Sequence, residues 1–251
     1  EGDTIKNNNY AQTLIKIMNE GKDGFYSGEV AEDMIETISK KGGIITINDL
    51  SDYESIWREP VKFKYKDYDI ISMSFPSSGG ILLGQMMKAI EKFDLSKVPH
   101  NSAEYIQLLT EIERRAFADR SDLMGDPDFM SLPVYEFMDE EYIEERMKSF
   151  SWEEATPSSE IKPGEVIFNE SDETTHFSII DKSGNAVSVT TTLNNSFGSK
   201  VYVENSGFFL NNEMDDFSSK PGYPNFFGVL GSEANSIQPG KSCLLYTSDA
   251  A

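Results

Sequence analysis

The hydrophobic period changes along this chain, from mainly helical spacing before a polar stretch at Trp152–Asp172 to strand alternation after Thr174. A chain with both periods must pack helices against sheet, which predicts an α+β fold. Tyr10 to Asn19 carries Ala11, Leu14, Ile15 and Met18 at helical spacing. Ser27 reads as the N-cap of a helix through Val30, Met34, Ile35 and Ile38, stopped by Gly42-Gly43. Val61 to Met73 reads as two strands broken at Lys66-Asp67, and Ser77-Ser78-Gly79-Gly80 opens a helix to about Phe93. A longer helix is expected over Ser102 to Ala118, with Ile106, Leu109, Ile112 and Ala116 on one face.

Trp152 to Asp172, with Pro157, Pro163 and several acids, reads as an exposed linker. Beyond it, His176–Asp181 and Ala186–Leu193 flank Lys182-Ser183-Gly184-Asn185, a hairpin turn sequence. A further apolar run, Gly207 to Leu210, follows.

Charge narrows the partners. Against 22 basic residues stand 43 acidic ones, a net charge of −21, so the basic footprint that a nucleic acid requires is missing. An anionic membrane surface would repel the chain for the same reason. Apolar runs such as Ile81 to Leu83 are too short to span a bilayer. One cysteine, Cys243, cannot form an internal disulfide or a cysteine-based metal site. No signal peptide is visible, and the chain reads as an internal stretch of a longer precursor.

Several candidate sites dissolve on inspection. His100 and His176 lack a nucleophile elbow to serve and read as structural or surface residues. Ser77 to Gly80 lacks the Lys and the spacing of a phosphate-binding loop. Asp122, Asp126 and Asp128 lack the closing Glu of a calcium loop, and Asp126-Pro127 marks a turn. No metal or cofactor is expected.

Thr174 fits a plain strand entry, because β-branched residues favour strands. It also fits a nucleophile. Polar residues gather downstream at Thr190 to Thr192, Asn194, Asn211, Asn212, Glu213, Asp215 and Asp216, which suits a pocket better than a core. If the Glu173–Thr174 bond is cut, Thr174 gains an α-amine with a reference pKa of about 8. That amine can take the hydroxyl proton, so the nucleophile carries its own base and needs no histidine.

These residues resemble a known family. Thr174-Thr175-His176-Phe177-Ser178, Asp181 to Val187, Thr192-Leu193-Asn194 and Leu210 to Phe217 resemble the start of the small subunit of gamma-glutamyltransferases. Pro76 to Gly80, Ala118 to Ser121, Gly125 to Phe129 and Pro157 to Ile161 resemble that family's large subunit. The resemblance implies the αββα sandwich of N-terminal nucleophile hydrolases, carried in part. It divides the chain into 1–173 from the large subunit, 174–241 from the small subunit, and a tail, 242–251, that departs from the family and reads as non-native.

The implied reaction is transfer or hydrolysis of the gamma-glutamyl group of glutathione and related amides, with water, amino acids or peptides as acceptors. Self-cleavage between Glu173 and Thr174 would precede it. By the resemblance, Thr174 is the nucleophile, Thr192 hydrogen-bonds it, and Asn194, Glu213 and Asp216 hold the substrate α-ammonium. Phe227 stands where bacterial members carry a lid tyrosine. The family's carboxylate-binding arginine is expected before residue 1, and its serines and oxyanion hole beyond Lys241. The stretch alone should therefore turn over little, since an oxyanion hole contributes about a hundredfold or more. A periplasmic or extracellular location is the family expectation. Two rivals remain at this stage: a glutaryl or cephalosporin-type acylase of the same fold, and a non-catalytic acidic binding module.

Overall fold

The computed structural model describes residues 2–131, 134–161, 175–226, 228 and 230–243. In chain order its helices are α1 (Asn8–Glu20), α2 (Asp23–Tyr26), α3 (Gly28–Lys40), α4 (Ile47–Ser51), α5 (Gly79–Ile90), α6 (Ala103–Leu123) and α7 (Glu140–Met147). Strands β1 (Val61–Tyr65) and β2 (Tyr68–Ser72) pair antiparallel, as do β3 (Thr175–Ile180) with β4 (Ala186–Thr191), and β5 (Tyr202–Val203) with β6 (Phe208–Phe209). No helix among the described residues is long and apolar enough to cross a membrane. The chain forms two compact units, Glu1–Trp57 with Thr192–Asn212, and Arg58–Thr191 with Glu213–Ala251.

In the first unit, α3 buries Val30 and Met34 against Val203, with Phe25, Leu50, Phe208 and Leu210 around them. Asn7 caps α1 by accepting from the Tyr10 N–H at 2.9 Å, while its amide donates to the Gly207 carbonyl at 2.7 Å. Gly207 is required there: its φ is 80°, and a Cβ would stand 2.3 Å from the Tyr10 nitrogen. Ser27 precedes α3 as expected but makes no side-chain cap bond. The φ of 63° at Gly28 takes the first turn out of capping geometry.

In the second unit, α5 and α6 pack around Ile81, Leu82, Ala116 and Met124, with Val61 and Phe75 completing the cluster. The buried stripe of α6 differs from the one expected. Ile106 is exposed, and Leu108, Glu111, Ile112, Arg115, Ala116 and Asp119 face inward at three- and four-residue spacing. The helix also runs past Ala118 to Leu123, because Asp119, Arg120 and Ser121 are buried in it. Ser78 does not cap α5; its hydroxyl accepts from Arg120 Nε at 2.9 Å.

The expected linker is not exposed throughout. Thr156 and Ile161 are buried, and a single turn of 3-10 helix spans Ser158–Glu160. Residues 162–174 lie outside the described ones. The β3–β4 hairpin follows the expected turn: Asp181 Oδ1 accepts from the Ser183 and Asn185 N–H groups at 2.8 and 2.9 Å, with φ 84° at Gly184.

Candidate active site

Of the residues expected to do chemistry, Glu173, Thr174 and Phe227 lie outside the described residues. The other four fall as two local pairs. Thr192 and Asn194 form the first, within the first unit. The Asn194 N–H donates to Thr192 Oγ1 at 2.8 Å, which closes a tight turn and places Asn194 at φ 73°. Asn tolerates this left-handed conformation better than most side chains. Its amide donates to the Asn212 carbonyl at 3.2 Å, and Asn212 Oδ1 accepts from the Asn195 N–H at 3.0 Å. Asn212 thus anchors the turn, a role that the sequence pattern did not single out.

Glu213 and Asp216 form the second pair, in the second unit, on one turn of 3-10 helix over Glu213–Asp216. Burial, and then the neighbouring Asp216 carboxylate, pushes the Glu213 carboxyl up to about 7. The carboxylate oxygens of the two acids lie within 4.8 Å of one another, an arrangement that suits a cationic donor of several hydrogen bonds. Asp215 serves the surrounding frame: its carboxylate accepts from the Phe226 N–H at 3.0 Å.

Asp216 also lines a small, partly open cleft with Arg120, Ser218, Tyr223, Asn225 and Asn235. Asn235 donates its side-chain amide to the Asp216 carbonyl at 2.7 Å. Lys220 sits 3.7 Å from the ring centre of Tyr223. Arg120 and Asn235 carried no individual role in the sequence reading. Arg120 sits within a quoted motif, but nothing in the spacing of Asn235 marks it.

Among the described residues, Glu213, Asp216 and Cys243 group their potential ligand atoms within 4.8 Å of one another. Burial, and then the charges of Asp216 and Glu213, pushes the Cys243 thiol up to about 12. The Asp126 and Asp128 carboxylates are committed to Arg58, which donates to Asp128 Oδ1 at 2.7 Å and lies 4.0 Å from Asp126. The hydroxyls of Ser188 and Thr190 lie 3.0 and 2.9 Å from the ring nitrogens of His176 on the exposed hairpin.

The gamma-glutamyltranspeptidase family model matches residues 1–247. The glutathione hydrolase proenzyme of Pseudomonas aeruginosa is 45% identical over 245 residues, covering 97% of this chain and 43% of that protein. The chain therefore spans less than half the length of that curated relative. The crystal structure of Helicobacter pylori gamma-glutamyltranspeptidase is 42% identical with a TM-score of 0.62, over 68% of this chain and 49% of that one. The cephalosporin acylase of Bacillus halodurans is 26% identical with a TM-score of 0.78, over 96% of this chain and 41% of that one. The α+β architecture is that of the N-terminal nucleophile hydrolases, carried in part. By sequence and by fold, the chain belongs to the gamma-glutamyltranspeptidase family.

Proposed function

We propose that the parent protein cuts itself between Glu173 and Thr174 and then transfers or hydrolyses the gamma-glutamyl group of glutathione and related amides. Residues 1–173 belong to its large subunit and 174–241 to its small one. The new α-amine of Thr174 takes the proton of its own hydroxyl, and Oγ attacks the gamma-carbonyl. The amine leaves with a proton, an ester on Thr174 remains, and water or an acceptor amine releases the gamma-glutamyl group. Thr192 hydrogen-bonds the nucleophile, while Asn194, Glu213 and Asp216 receive the substrate α-ammonium. Phe227 belongs to a covering segment. The parent works outside the cytoplasm.

The observation that carries this reading is the acid pair. Glu213 is pushed up to about 7 by burial and by Asp216, an arrangement that a bound cation relieves. A cephalosporin-type acylase is the rival, favoured by the TM-score of 0.78 to the Bacillus halodurans enzyme. A glutaryl group has no α-ammonium, so two adjacent acids would oppose rather than assist its binding. The full-length parent, assayed on gamma-glutamyl and glutaryl p-nitroanilides, should favour the first by about a hundredfold, the scale of a lost charge-assisted contact. Equal rates, or faster glutaryl cleavage, would replace the substrate assignment.

A further inference from the structure

The loop that follows α6 meets the stretch behind the acid turn at close quarters. Gly125 is buried, and its backbone lies outside the left-handed region, so its own conformation does not demand glycine. A neighbour does. A Cβ on Gly125 would stand 2.2 Å from the Ala234 carbonyl oxygen and 2.9 Å from the carbonyl carbon. Three residues before Gly125, the Asp122 carbonyl accepts from Ser232 Oγ at 2.9 Å. The same Ser232 oxygen accepts from the Ala234 N–H at 3.1 Å and so caps the single 3-10 turn over Glu233–Asn235. Lys241 Nζ also donates to the Ala234 carbonyl, at 2.8 Å.

That turn ends on Asn235, which is 7% exposed and donates its side-chain amide to the Asp216 carbonyl at 2.7 Å. The contacts therefore run from Asp122 and Gly125 to Ser232 and Ala234, then through Asn235 to Asp216. The first two residues lie within 1–173 and the others within 174–241, so the proposed cut would leave them on separate chains.

A carbonyl pressed onto a glycine buries little apolar area, and a side chain at 125 would bury more. What the close approach does supply is a fixed spacing between two backbones. We propose that Gly125 is a positioning residue for the substrate α-ammonium. By admitting the Ala234 carbonyl it sets Asn235, and through Asn235 the backbone that presents Asp216. This rests on the function proposed above and adds that the ammonium site depends on the large subunit. Alanine at 125 must drive the Ala234 carbonyl back by about 1 Å, from 2.2 Å to an ordinary contact of 3.4 Å. A misplacement of that size costs roughly tenfold or more where a site works by orientation.

The test is steady-state kinetics of the full-length parent and its Gly125→Ala, Ser232→Ala and Ser232→Thr variants on gamma-glutamyl and glutaryl p-nitroanilides. Gly125→Ala should raise KM for the gamma-glutamyl substrate about tenfold while kcat changes by less than about twofold. The ratio of kcat/KM for the gamma-glutamyl over the glutaryl substrate should fall by a similar factor, because glutaryl has no ammonium to misplace. Ser232→Ala loses the bond to the Asp122 carbonyl and should raise KM about threefold, and Ser232→Thr, which keeps the hydroxyl, should restore it. Parental KM in Gly125→Ala and Ser232→Ala would overturn the inference. So would equal losses on both substrates, which would mark the contact as general framework. If Gly125→Ala does not fold, the two Ser232 variants decide alone. A parent with no gamma-glutamyl turnover would instead bring down the proposed function itself.

Discussion

Asn235 donates its side-chain amide to the backbone carbonyl of Asp216 at 2.7 Å, and the Ser218 N–H returns to the Asn235 carbonyl at 2.9 Å. A residue nineteen positions downstream therefore sets the backbone that presents the acid. Asn235→Ala should cost about 1 kcal/mol of this alignment, raising KM for a gamma-glutamyl substrate roughly fivefold with a smaller effect on kcat. Steady-state kinetics of the full-length parent check this. An unaltered KM would show that Asp216 holds its place by other means.

Glu213 makes stability depend on pH in a direction unusual for a carboxylate. Its ordinary value of 4.5 is pushed up to about 7 in the folded chain, by burial first and by Asp216 second. Between these values the folded state keeps a proton that the unfolded state has released. The stability present below 4.5 is therefore lost as pH rises through 7. Glu213→Gln removes that loss, so its Tm should exceed the parent's at pH 8 and match it at pH 4. Thermal melts at the two values decide the matter, and a constant offset at both would contradict the assigned cause.

Gly207 and Gly184 separate steric demand from backbone preference. Both have positive φ, 80° and 84°, yet a Cβ meets the Tyr10 nitrogen at 2.3 Å in the first case and nothing within 4 Å in the second. Gly184→Ala should cost about 1 kcal/mol, the left-handed penalty alone. Gly207→Ala should cost about 2 kcal/mol or more, since the backbone of α1 must also move. Urea denaturation of the parent and both variants measures the gap, and equal losses would refute the contact.

Apolar spacing made the helices and hairpins legible where one face is greasy and the other wet. It failed where buried residues are charged. Glu111, Arg115 and Asp119 face inward on α6, so hydrophobic periodicity found Ile112 and Ala116 but put the exposed Ile106 on the buried face and ended the helix early. α7 buries Ile143 alone and opens on Glu140 and Glu141, which left too few apolar residues to show a period. Glu213 and Asp216 were readable as a polar cluster in a local motif. The anchoring roles of Asn212, which belonged to that cluster, and of Asn235, which did not, were hidden, because each acts on a backbone group that only the folded chain brings near.

One peptide bond, Glu173–Thr174, separates an inert precursor from a competent nucleophile. Purified full-length parent, sized by intact mass and sequenced from its new amino terminus, should yield two chains, the smaller beginning at Thr174, while Thr174→Ala stays whole. A parent that remains uncut while still hydrolysing gamma-glutamyl p-nitroanilide at full rate would contradict it.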